Sequence, residues 1–147
     1  MLTADDQFRQ RMAWALSQII VIAAPSIKDR LHTEPFLAYY DIMVRNAFSN
    51  YRDILREISF SPVMGENLSY LNSKSSSYMF QETNLIVYPD ENFAREIMQL
   101  FTIGYCHLNP DGTNLEDSTS ECIITYTNEE IMEYSRVWTG FVFNKLR

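Results

Sequence analysis

The sequence predicts a mainly α fold, an irregular multi-helix array of about six helices with one small β-hairpin near the C-terminus. Three observations carry that prediction. Apolar residues recur at helical spacing in successive stretches, and Thr33, Asn50, Ser61, Asp90 and Thr127 stand before them as start signals. Asn109-Pro110-Asp111-Gly112 is a strong turn signal, followed by β-prone Ile123-Ile124-Thr125-Tyr126.

The first helix is read between Asp5 and Ala23, where about 100° per residue places Phe8, Met12, Ala15, Leu16 and Ile19 on one face. Gln7, Arg11, Trp14 and Gln18 fall opposite. Arg9 projects onto the apolar side near Ala13 and Leu16, where a guanidinium needs a carboxylate or carbonyls. Either its stem snorkels to the surface or Arg9 organises a buried polar site. Pro25 ends the helix or closes its last turn.

Thr33-Glu34-Pro35 opens a second helix, with Thr33 as its cap and Phe36, Leu37, Tyr40, Met43, Val44, Ala47 and Phe48 as its buried stripe. Asp41 and Arg45 are spaced to pair on its other side, a contribution of only ~0.3–0.5 kcal/mol when exposed. Asn50 starts a third helix carrying Tyr51, Ile54, Leu55 and Ile58. Ser61-Pro62 starts a fourth, carrying Met64, Leu68 and Leu71. The short connections favour neighbours packed in space.

Between Asn72 and Tyr88 the helical period fails, and Ser73, Ser75, Ser76 and Ser77 crowd around Lys74. A long loop is expected, with part of Tyr78-Met79-Phe80 and Leu85-Ile86-Val87 packed down. The clearest helix sentence follows, from Tyr88 to Gly104. Pro89 ends what precedes it, Asp90 is placed to accept from a first-turn N–H, and Glu91 suits the positive end of the dipole. Gly104 stands where a left-handed terminal residue belongs. Phe93, Ile97, Leu100, Phe101 and Gly104 define its buried face. After the turn-rich stretch, Thr127-Asn128-Glu129-Glu130 reads as a capping box, with Ile131, Tyr134, Ser135 and Trp138 at helical spacing up to Gly140.

The 147 residues suit a single helical domain, and 46 % hydrophobic with 14 % aromatic residues supply a real core. A formal net charge of -7 argues against a phosphate-binding surface, so no nucleic-acid partner is expected. The apolar run Ile19 to Ala24 is far short of the ~20 residues that span a bilayer. Met1 is followed by polar and acidic residues, so no secretory signal is read in these residues. Cys106 and Cys122 flank the turn-rich insert and allow two readings. Two independent buried thiols are the commoner case; a bridge requires antiparallel arms and an oxidising compartment.

Several stretches together resemble the uncharacterised family known as domain of unknown function 1800. They are Asp6 to Gln18, Tyr39-Tyr40-Asp41, Arg45-Asn46-Ala47-Phe48, Pro89 to Gly104, Leu108 to Thr113, Thr125-Tyr126-Thr127 and Val137-Trp138-Thr139-Gly140. The resemblance runs in order along almost the whole chain. It implies that the chain is a central portion, a fragment, of a longer family domain. It also implies a bacterial parent that is often exported or associated with the cell surface. Such parents are frequently encoded beside a protein resembling sulfatases and alkaline phosphatases, which is the partner it suggests besides the remainder of the parent chain. No established activity comes with the family. Its members commonly carry a short Gly- and Asn-containing loop before the Pro-Asp-Glu-Asn motif, where this chain is Ser-rich and longer.

On the helix after Pro89, Glu91, Asn92, Arg95, Glu96, Gln99 and Thr102 share the polar face. A solvated face with a Glu91–Arg95 pair is the ordinary reading. The functional reading makes Glu96, Glu91 and Arg95 the catalytic candidates, with Asn92, Gln99, Arg9 and Arg11 as binding residues of a shared cleft. His107-x-Asn109-x-Asp111-Gly112 imitates the start of a calcium loop poorly, because His replaces the first acid and Ser118 the last. His32 and His107 are the only histidines, and no Gly-rich phosphate loop is present, so neither metal nor cofactor is expected. The leading expectation is a structural or interaction module. The alternative is part of a hydrolase-like or carbohydrate-active enzyme using carboxylates of the 90–96 segment.

Overall fold

In a computed structural model of the protein, residues 5–23 and 33–142 are described. The chain divides into two compact units, Met1–Leu68 and Ser69–Arg147. The described residues hold seven α-helices: α1 Gln7–Ile19, α2 Thr33–Arg45, α3 Tyr51–Ser59, α4 Pro62–Asn67, α5 Ser76–Thr83, α6 Asn92–Gln99 and α7 Asn128–Ser135. A 3-10 turn, Arg136–Trp138, extends α7.

In the first unit α1 packs on α2, and α2, α3 and α4 pack on one another. Asn50 caps α3 by accepting from the Arg52 N–H at 2.9 Å, and Pro62 occupies the first turn of α4, where its missing donor costs nothing. Met43, Ile54, Ile58 and Met64 are buried in the core, each contributing roughly 1.5–3 kcal/mol. The buried face of α1 differs from the predicted one: Phe8 is 71 % and Ile19 53 % exposed, while Ala13 and Ile20 are fully buried. Small Ala13 sits fully buried where α1 meets α2, Met12 and Leu16 are half-buried, and Phe8 and Ile19 turn outward. The Phe8 ring stacks on exposed Phe48 at 5.1 Å. In α2 the stripe is likewise shifted, with Tyr39 and Ile42 buried and Leu37 exposed. Arg45 pairs not with Asp41 but with Glu57 of α3. α2 begins at Thr33 itself, so the cap position lies outside the described residues, as does Pro25.

In the second unit α6 packs on α7 around an aromatic cluster. Tyr70 lies 4.7 Å from Phe93 and 5.7 Å from Trp138, and Phe93 meets Trp138 edge-on at 4.6 Å. The capping box of α7 forms as read: Glu130 N–H donates to Thr127 Oγ1 at 3.3 Å, and Thr127 N–H to Glu130 Oε2 at 2.7 Å. Gly104, at φ +76°, donates its N–H to the Met98 carbonyl at 2.9 Å and closes the turn after α6. The predicted loop between Asn72 and Tyr88 instead contains α5, capped by Ser75 and ended by left-handed Asn84. α5 buries no residue, and for that reason leaves no apolar period in the sequence. Little of the segment packs down: Met79 is half-buried, but Phe80, Leu85 and Ile86 are all more than half exposed.

The expected β-hairpin does not form. Residues 105–125 make only isolated antiparallel bridges, Cys106 to Ile124, Leu108 to Asn114 and Glu116 to Cys122. Two turns, each organised by an aspartate, interrupt the arm before any strand can lengthen. Asp111 accepts from the Thr113 N–H at 3.0 Å and Asp117 from the Thr119 N–H at 2.7 Å. The thiols are joined, with Cys106 and Cys122 Cα atoms 5.7 Å apart, in place of the two free thiols that were the commoner expectation. No helix among the described residues is long and apolar enough to cross a membrane.

Candidate functional site

The start of α6 is built from local hydrogen bonds. Buried Pro89 delivers the chain, Asp90 Oδ1 accepts from the Asn92 N–H at 2.9 Å, and the Asp90 N–H donates to Ser73 Oγ at 3.1 Å. Asn92 Nδ2 donates to Ser69 Oγ at 3.3 Å. One turn on, Arg95 Nη2 donates to Glu91 Oε1 at 2.6 Å, the expected i,i+4 pair, and this bond holds the guanidinium more firmly charged. Asp90, Glu91, Asn92 and Arg95 line an open groove of about 570 Å³ with Ser69, Tyr88, Pro89 and Met132.

Glu96 does not line that groove. Its Oε2 is buried without a hydrogen-bond partner, and so is the hydroxyl of Tyr126, which is 4 % exposed. Burial pushes the Tyr126 phenol above its ordinary value; the Arg95 charge opposes this, and the Glu96 carboxylate and Tyr105 add to it. Gln99 is exposed at the last turn of α6. Leu100, assigned to the buried face, is 64 % exposed, because α6 stops at Gln99 and the chain turns. Ala94 takes its place in the core.

Arg9 and Arg11 belong to the first unit. Arg9 Nη1 donates to the Val44 carbonyl at 3.0 Å, and its guanidinium lies 5.1 Å from the centre of the Phe48 ring. Half-buried, it is a cation bound at the C-terminal end of α2, where the helix dipole favours it. Arg11 is exposed on the outer face of α1. Among the described residues no group of three or more His, Cys, Asp or Glu side chains gathers as metal ligands. His32 lies outside the described residues.

The family described as "Protein of unknown function (DUF1800)" has a sequence profile that matches residues 1–147. The chain belongs to this family. No curated protein and no solved structure matches it.

In this DUF1800 chain, sequence reasoning missed Tyr126, Ser69 and Met132 among the α6 surroundings. Tyr126 reads as one more β-prone residue, and Ser69 as the tail of α4. The available signal was the place of Tyr126 immediately before the Thr127 capping box, which sends its side chain inward as α7 docks on α6. Ser69 adopts φ +63°, a turn conformation with no marker in its own side chain.

Proposed function

We propose that this chain is a structural or interaction module of an exported or cell-surface-associated protein. One observation carries the reading: a covalently fixed arm that buries nothing. Between Cys106 and Cys122 no residue is buried, so the arm adds little to the core, yet the disulfide holds its shape. Exposed Leu108 and Leu115 share the arm with Asp111, Glu116, Asp117 and Glu121, and no lysine or arginine lies between the cysteines. Such a surface suits a partner with an apolar centre and a basic rim. The bridge suits an oxidising compartment, in keeping with an exported parent.

The partner that the family resemblance suggests is a protein resembling sulfatases or alkaline phosphatases. The test is calorimetric titration of such a protein, taken from the same source, with the oxidised chain and with the double variant L108D/L115D. Binding by the first and loss in the second, with unchanged circular dichroism, supports the module. Equal binding by both, or none by either, contradicts it.

A second reading, a hydrolase-like or carbohydrate-active enzyme, is favoured by the buried, unpartnered Glu96 Oε2 and Tyr126 hydroxyl beside α6. It requires hydrolysis of aryl glycosides or esters that falls at least ~100-fold in E96Q without loss of thermal stability. Activity unchanged in E96Q would remove it.

A further inference from the structure

We propose that the groove between α2, α3 and α4 binds a small ligand with an apolar body and a carboxylate head. The groove has a volume of about 470 Å³, within the range of small-molecule sites, and lies wholly in the first unit. Its floor is Tyr39, Ile42 and Val63, all buried, and Phe60 stands at its lip with 66 % of its surface exposed. The Tyr39 hydroxyl donates to the Ile20 carbonyl at 3.2 Å, leaving its ring as part of that floor. Pro35 and Pro62 stiffen the two sides.

The charged groups at the mouth choose the head group. Arg45, Arg56 and Glu57 line it, two cations against one anion in a chain of net charge -7. Both Glu57 oxygens are taken, Oε1 by Asn46 Nδ2 at 2.7 Å and Oε2 by Arg45. Arg56 makes no hydrogen bond or ion pair among the described residues and feels Glu57 only through space. A free guanidinium beside an apolar floor accepts a carboxylate in bidentate fashion while the body covers Ile42 and Val63. A cationic head meets two guanidiniums instead, and a neutral one leaves Arg56 unpaired.

The experiment titrates the protein with decanoate below its micelle concentration, and with decanol as the uncharged match, following amide shifts by NMR. Decanoate is expected to shift α2, α3 and α4 amides and to bind at least ~10-fold more weakly to R56Q, whereas decanol binding is the same in wild type and R56Q. A38W, which places a ring in the groove, is expected to block both. No decanoate binding, equal decanoate affinity in R56Q, or binding that survives A38W in a folded protein would overturn the proposal. R56Q alters an exposed, unpartnered side chain, so it decides the matter even if A38W fails to fold.

Discussion

Cys106 and Cys122 are bonded across a sequence separation of 16, closing an arm in which no side chain is buried. Such a loop has little burial to offset its conformational entropy, so the bridge stands in for a core. Replacing both cysteines with serine is expected to lower stability by up to about 3 kcal/mol in urea denaturation. The amides of His107, Leu115 and Ile123, which hold the arm's internal hydrogen bonds, should lose exchange protection first. Unchanged protection at all three would show that the arm is held by something else.

Phe93 is fully buried at the centre of the aromatic cluster. Phe93→Ala should cost about 3–5 kcal/mol by denaturation, because it removes both transfer free energy and the ring contacts to Tyr70 and Trp138. A cost below about 1 kcal/mol would mean that the cavity collapses or that the ring lies elsewhere.

Glu57 is held below its ordinary value first by the Asn46 side chain and then by Arg45. The sign follows: a depressed carboxylate stabilises the fold above the unfolded value of 4.5, and that contribution is lost as pH falls through the lower folded value. Thermal melts of E57Q should therefore be less stable than wild type near neutrality, with the difference shrinking below about pH 4.5. A difference that stays constant down to strongly acidic pH would contradict the assignment.

Thr127→Ala removes one half of the capping box of α7. A loss of about 1 kcal/mol is expected in chemical denaturation, with E130A giving a similar loss and the pair less than the sum. Full additivity would mean that the two side chains do not act together.

Where chain chemistry acts locally, the sequence was readable. Asp90, Glu91–Arg95, Gly104 and the Thr127–Glu130 box each stand as their residue types require, because their partners are within a few positions. What depends on a distant partner was not. A helical wheel of α1 carries apolar residues on more than one side, and only the close approach of α2 selects Ala13 and Ile20 over Phe8 and Ile19. Tyr70 carries no periodic signal, yet it joins Phe93, Trp138 and Phe141. α5 is invisible to periodicity because none of its residues is fully buried. The turn at Asp111 was legible, but a second turn at Asp117 divides the arm and prevents the hairpin. At the candidate site, the groove residues Glu91, Asn92 and Arg95 follow from helical spacing. The turning of Glu96 away from them does not.

The most direct measurement of the interaction reading is hydrogen exchange of the oxidised chain with and without the sulfatase- or phosphatase-like protein. Slowed exchange is expected across the arm, from His107 to Ile124, with α6 unchanged. Slowing confined to Asp90–Glu96 while the arm exchanges freely, or no slowing anywhere, would contradict it.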